Sequence, residues 1–351
     1  MTVDISKSSK LIPKPKRTSL KDLATYLGLS QTTVSFVLND APHAKDLTEE
    51  TRRRVREAAQ KFNYRPSYFA LNLKKGSSEC VGVIAPEHSE GFFTSVMDGA
   101  ERYLIQQNFM YFTVCHYWKP ELIKNYPKLL AKRGAEGLLL LNTNADFEPM
   151  LPVVAIAAHL EKEGVTNVSI DHEQAALLAI EHLYQAGHRK IAFMKGHHHI
   201  MDATPRWKAM MKVAKKFGVQ PTPERTVQMK SNSWSPSVGY ESAKCLLDAT
   251  RDFTALVCFN DTSAMGAIRA FHEAGLLVPR DASVVGFDDI ASAQFNLPSL
   301  TTIRQPLDVM GKQAAKILLD RIAHPTSPYP SAVSIPATLI VRESSAKIRK
   351  R

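Results

Sequence analysis

The sequence has few cysteines and no long apolar run, and both shortages exclude whole classes of protein. Four cysteines stand far apart, at Cys80, Cys115, Cys245 and Cys258, with no CxxC pair. Neither a disulfide scaffold nor a thiolate metal centre is expected, and the four read as small buried hydrophobes of a reducing compartment. No stretch is apolar for long enough to span a bilayer. The opening "MTVDISKSSKLIPKPKR" has no apolar core, so no secretory signal is expected and the chain reads as cytoplasmic. Catalytic signatures are missing too. There is no P-loop, no GxSxG, no HExxH and no GxGxxG opening a helix. The residues point to no catalytic site and no cofactor.

Charge is present and unevenly placed. The 351 residues carry a net charge of +11. Residues 1–79 hold 15 Lys/Arg against 8 Asp/Glu, whereas the other 272 hold 30 against 26. A small basic head on a near-neutral body suggests a polyanion-binding module, although a solvated basic face would look the same.

Residues 1–17 are rich in Lys, Ser and Pro and read as a disordered tail. Three short helices should follow. Leu20, Leu23, Ala24 and Leu27 share one helical stripe, capped by Thr18 or Ser19 and stopped by Gly28. Ser30 can cap a second helix running to about Asn39. After the loop "DAPHAKD", Thr48 can cap a third, with Val55, Ala58, Ala59 and Phe62 turned inward. Residues 66–79 then read as a linker that holds a short helix. From Cys80 onward, runs such as "CVGVIAP", "EGLLLLNT" and "SVVGFDD" alternate with amphipathic helices. That alternation predicts an open parallel α/β architecture. The units are too many for one sheet, so two lobes are expected, with crossings near 170 and 300.

Helix, glycine turn, helix is a DNA-reading pattern, and the second helix suits it. At 100° per residue, Val34, Val37 and Leu38 fall on one side and Gln31, Thr32, Ser35 and Phe36 on the other. An uncharged face can read base edges while basic flanks hold phosphates. Gln31 can address adenine, Thr32 and Ser35 several edges, and Phe36 a thymine methyl. An ordinary amphipathic surface helix would share this pattern.

The sequence becomes more specific over longer stretches. "SLKDLATYLGLSQTTVSFVLND", "LTEETRRRVREAAQKFNYRPSYFALNLKKGSS", "HLYQAGHRKIAF", "VCFNDTSAMGAIRA" and "GLLVPRDASVVGFDDIASAQFNLPSLTTIRQP" follow in order. From about 18 to 342 the chain resembles the lactose/galactose-repressor (LacI/GalR) family of bacterial transcription regulators. The resemblance implies a helix-turn-helix head over 18–65 and a hinge helix within 66–79. It implies a two-lobed, periplasmic-binding-protein-like body over 80–342, with 343–351 left as a basic tail. It further implies a homodimer that binds a near-palindromic double-stranded DNA operator under the control of a small effector, a carbohydrate or related metabolite, with no membrane involved.

By the same resemblance, Gln31, Thr32 and Phe36 match base-reading positions, and Ser35 and Asn39 match backbone-contacting ones. Phe36 replaces the Arg or His often found at its position, which implies an altered operator. Leu73 matches a leucine that wedges into the minor groove, with Ala70 and Lys74 as its companions. Effector-contacting positions match Phe92, Phe93, Arg206, Trp234, Asn260, Asp261 and Asp288. Ala157 and Ala158 stand where many relatives carry an acid, so that side of the pocket is either more apolar or takes its acid from Asp202 instead. The run His197, His198, His199 reads as a pocket-rim loop, since three consecutive residues do not easily converge on one ion. No metal is expected.

Overall fold

The computed structural model describes residues 18–65, 76–89, 91–144, 147–231 and 233–348. Ala70, Leu73 and Lys74 lie outside the described residues. The chain divides into two compact units, one ending at Ser78 and the other beginning at Glu79.

The first unit is a three-helix head: α1 (Leu20–Leu27), α2 (Gln31–Leu38) and α3 (Glu49–Lys61). Each helix starts on a hydroxyl cap. Ser19, Ser30 and Thr48 accept hydrogen bonds from the amides of Asp22, Thr33 and Thr51. These caps satisfy amides that would otherwise be left unpaired at each helix start. Gly28 ends α1 in the left-handed region, at φ 66°, where a side chain would be strained. The helices enclose a core of Leu23, Ala24, Leu27, Val34, Val37, Val55, Ala58 and Ala59. Phe62, expected inside, is exposed at the edge of the unit and meets Tyr26 edge-on at 4.7 Å. As the C-cap residue of α3 it has left the helical register that buries Val55 and Ala59.

The second unit has two lobes, each built on a six-stranded sheet. In lobe 1 the order is β11-β5-β4-β3-β1-β2 and every pairing is parallel. Its strands are β1 (Cys80–Ala85), β2 (Met110–Cys115), β3 (Leu138–Leu141), β4 (Val153–Ile156), β5 (Val165–Ile170) and β11 (Ala332–Ile335). In lobe 2 the order is β12-β10-β9-β8-β6-β7. Those strands are β6 (Ile191–Lys195), β7 (Thr226–Gln228), β8 (Ala255–Val257), β9 (Ser283–Asp288), β10 (Thr301–Arg304) and β12 (Thr338–Ile340). Only β12 runs antiparallel, against β10. The runs β1, β3 and β4 are apolar along their whole length, as strands covered on both faces are, and β9 is buried from Ser283 to Asp288.

Seven helices cover the sheets: α4 (Phe92–Gln106), α5 (Pro120–Lys132), α6 (His172–Gln185), α7 (Ala203–Lys216), α8 (Pro236–Ala249), α9 (Asp261–Glu273) and α10 (Leu307–Ala323). Helices α4 and α10 cross closely at two glycines. A Cβ on Gly99 would meet the Asp308 carbonyl oxygen at 1.8 Å, and one on Gly311 the Val96 carbonyl oxygen at 1.9 Å. Neither position can take a side chain without parting the helices.

The chain passes between the lobes three times: between β5 and α6, between β10 and α10, and between β11 and β12. The last passage joins two short strands over Ile335–Thr338 and was not visible in the strand–helix alternation. Residues 343–348, read from the sequence as a tail, are bound into lobe 2 instead. Ser344 Oγ accepts from the Thr301 amide at 2.8 Å and donates to the Val284 carbonyl at 2.6 Å, and the Ala346 carbonyl lies 3.0 Å from His188 Nε2. Buried strand-edge groups draw this segment in despite its charge.

Candidate functional site

In the head, α2 presents the polar face. Val34 and Val37 are buried, Gln31, Thr32 and Asn39 are exposed, and Ser35 and Phe36 are half-buried. Gln31 and Thr32 occupy the first helical turn, the end that enters a groove in helix-turn-helix proteins. Phe36 is not free on the surface, because its ring lies 5.4 Å from that of His43. Asn39 folds back onto its own helix, with Nδ2 donating to the Ser35 carbonyl at 2.8 Å. Asn39 therefore fixes the end of α2 and holds Ser35 in place.

In the body, both sheets point the C-terminal ends of their strands at one cleft. The strand order reverses at β1/β3 in lobe 1 and at β6/β8 in lobe 2. Such switch points open a crevice for ligands. The loops there bring most of the expected effector residues together. Phe92 stacks on Trp234 across the cleft, with centroids 5.5 Å apart and planes within 10°. The Trp234 amide donates to Glu87 Oε1 at 3.2 Å, and the Met201 amide donates to Asn142 Oδ1 at 2.8 Å. His159 Nε2 reaches Asp202 Oδ1 at 2.6 Å. These contacts hold the lobes closed. Phe93, beside Phe92, is buried against His88 on the lobe 1 side.

Arg206 is the polar centre of lobe 2's side. It sits one turn into α7, buried, and its guanidinium lies between Phe259 and Phe287, 4.6 and 3.8 Å from the two centroids. Its Nη1 donates to the Phe259 carbonyl at 2.7 Å and its Nη2 to Asp202 Oδ2 at 3.1 Å. Its Nε is buried with no partner, as are Gln305 Oε1 and Trp118 Nε1. Buried polar atoms of this kind carry a desolvation cost until a ligand meets them.

Two acids at the cleft behave differently. Burial pushes the Asp288 carboxyl up to about 7, against the opposing pull of Arg206 and the Gln305 hydrogen bond of 2.6 Å. Asp288 also holds φ 112°, a backbone geometry that L-residues rarely adopt. Burial also pushes Asp202 upward, but His172, His159 and Arg206 outweigh it and hold the group well below the usual carboxylate range. A depression of about 750 Å³ between the first turns of α4 and α10 reaches Asp288 and Gln305.

Asn260 and Asp261 are both engaged in hydrogen bonds within lobe 2. Asn260 caps α9, its Oδ1 accepting from the Ser263 amide at 2.9 Å. Asp261 Oδ1 accepts from Thr302 Oγ1 at 2.5 Å and Oδ2 from the Ile290 amide at 2.9 Å. Oδ1 is packed so tightly that a Cβ on Gly286 would stand 2.3 Å from it. Asp261 is an internal brace that ties α9 to β10 and to the loop after β9.

No spacing or motif marks His159 and His172 in the sequence. They come from different segments, and only folding sets both against Asp202. The run His197–His199 does gather, with adjacent ring centroids 4.2 Å apart and ring nitrogens within 4.8 Å, against the expectation of poor convergence. A tight turn makes this possible, and His198 and His199 remain exposed in it. No helix among the described residues is long and apolar enough to cross a membrane.

Comparison with known proteins agrees with both halves of this geometry. Residues 19–67 match the model of bacterial regulatory proteins of the lacI family, and residues 180–345 match a periplasmic binding protein-like domain. The HTH-type transcriptional repressor PurR of Haemophilus influenzae is 33% identical over 341 residues, covering 94% of this chain and 99% of that protein. The Lac repressor bound to ONPG in its repressed state superposes with a TM-score of 0.80 at 25% identity, over 94% of this chain and all of that one. A LacI family regulator from Enterococcus faecium with bound ribose superposes at 0.68 and 26% identity, over 77% of this chain and all of that one.

Proposed function

Since the chain belongs to the lacI family of bacterial regulatory proteins, we propose that it is a cytoplasmic homodimeric repressor, released from or held on its operator by a small effector in the cleft. It acts by binding, without catalysis. The observation that carries the effector half is the Arg206 site, a guanidinium held between two phenyl rings at a switch-point crevice, with unpartnered polar atoms around it. The ligand we assign is a ring-bearing polar metabolite, carbohydrate or close to it. The Phe92–Trp234 pair offers it a flat apolar face, while Arg206, Asp288 and Gln305 fix its polar groups.

Gln31, Thr32 and Phe36 are assigned to base readout, Ser35 and Asn39 to the adjoining backbone. Ala70, Leu73 and Lys74 keep the hinge roles that the resemblance implies. Exposed apolar residues in both lobes favour a dimer: Met110 (64% exposed) on edge strand β2, and Phe295 (79%) and Leu297 (87%) after β9. Effector binding would shift the lobe angle and change operator affinity by a coupling of about 1–3 kcal/mol. Footprinting on genomic fragments tests the reading. Protection symmetric about a dyad is expected, and a protected site without a dyad would refute a dimeric reader. A metabolite screen by thermal shift tests the effector half, which would be withdrawn if only a partner protein moved the transition.

A further inference from the structure

We infer that His159, His172 and Asp202 form a site for one zinc-class divalent ion, set across the cleft between the lobes. The three ligand atoms already define a triangle. His159 Nε2 lies 2.6 Å from Asp202 Oδ1, His172 Nε2 lies 3.2 Å from His159 Nε2, and His172 Nε2 lies 3.4 Å from Asp202 Oδ1. In a tetrahedral zinc site with bonds of about 2.0–2.2 Å, neighbouring ligand atoms stand about 3.3 Å apart. Two edges have that length as they stand. The third would open by about 0.7 Å as a hydrogen bond gives way to two metal bonds. An ion about 2 Å from all three atoms sits about 1 Å off their plane.

The chemistry around the triangle fits the same assignment. Asp202 Oδ2 is held by Arg206 at 3.1 Å, which orients the carboxylate and leaves Oδ1 for the ion. His172 has no other polar engagement: its Nδ1 is buried without a partner, and its Nε2 meets only the two other members. His159 is 27% exposed, which leaves an entry path and an open fourth position. Two imidazoles and one carboxylate suit Zn²⁺, Co²⁺ or Ni²⁺ and disfavour Mg²⁺, which prefers an octahedral set of oxygens.

The location gives the ion a consequence. His159 belongs to the loop after β4 in lobe 1, while His172 opens α6 and Asp202 precedes α7 in lobe 2. A bound ion would tie the lobes together and favour the closed cleft. This assignment does not depend on the effector's identity.

The test uses full-length protein stripped with chelator and titrated with Zn²⁺ by calorimetry, and with Co²⁺ by visible absorption. One ion per chain and a tetrahedral Co²⁺ spectrum are expected. His159→Ala, a change at a half-buried loop residue whose folding is checked by melting, should weaken binding at least about 100-fold, more than typical losses of outer-shell partners. Asp202→Asn should do the same, and if it fails to fold, His159→Ala decides alone. The triple variant H197A/H198A/H199A should bind as the parent does. Parent binding no tighter than that of His159→Ala overturns the site, as does binding lost in the triple variant and kept in His159→Ala. Titration without effector, and effector screening in chelator, let either reading fail while the other stands.

Discussion

The guanidinium carbon of Arg206 lies 3.8 Å from the centroid of Phe287, an aromatic face set against a buried charge. A lysine cannot copy this. Arg206→Lys keeps the charge but loses the planar stack and the fork that reaches Phe259 and Asp202 together. Effector affinity should fall by about 1–2 kcal/mol, from a lost cation–π contact and one charged hydrogen bond. Titration calorimetry with the screened effector measures it, and an unchanged affinity removes Arg206 from the ligand set.

Base readout is tested on α2. Gln31→Ala should cost about 1–3 kcal/mol and relax preference at one base pair per half-site. Phe36→Arg should shift preference toward guanine at its own step, since an arginine fork matches O6 and N7. Selection from a randomised operator library reads both. The ring contact between Phe36 and His43 is local to the head, so the body's melting transition should not move.

The head is small, and one core deletion should disable it. Leu23 is fully buried among Val34, Val37 and Val55. Leu23→Ala should cost about 2–5 kcal/mol, against a total of about 5 kcal/mol or less for a core of this size. Operator binding should be lost while the effector's thermal shift on the body remains, seen by calorimetric scanning.

Acid should destabilise the body through His116. Its Nδ1 accepts from the Trp118 amide at 3.1 Å, so its proton sits on Nε2, 3.2 Å from Thr143 Oγ1. Burial lowers its pKa to about 4. The unfolded chain takes up a proton near pH 6.5 and the folded one only near 4. Stability is therefore full above about pH 6.5 and falls by about 3 kcal/mol as pH drops to 4. Lowered values at His182 and His188 act in the same direction. Raised Asp288 acts oppositely, withdrawing stability as pH rises from the ordinary carboxylate range to about 7. His116→Gln should flatten the limb between pH 6.5 and 4 in urea melts by about one proton's worth of slope.

Some of this was legible in the sequence because it rests on local chemistry. The caps Ser30 and Thr48, the stop at Gly28 and the stripe of Leu23, Ala24 and Leu27 depend on neighbours within one or two turns. The strands of the body were visible because doubly covered strands are apolar throughout. The cleft was harder to read. Asp261 and Asp288 both follow strands of lobe 2, yet one is an internal brace and the other faces Arg206. The difference comes from Thr302 and Ile290, which lie 41 and 29 residues from Asp261. His159, His172 and Asp202 likewise meet only through tertiary folding, and no spacing rule joins residues 13 and 30 positions apart. The docking of Ser344 and Ser345 was hidden by the basic residues around them.

Three passages between the lobes mean that neither lobe is a continuous piece of chain. Lobe 1 needs α10 and β11, and lobe 2 needs β12 and the segment through Ala346. On a ribosome, neither sheet can be completed until nearly the whole chain has emerged. The head, finished by Tyr64, can fold and meet DNA first. Nascent chains should therefore show operator binding well before they respond to any ligand.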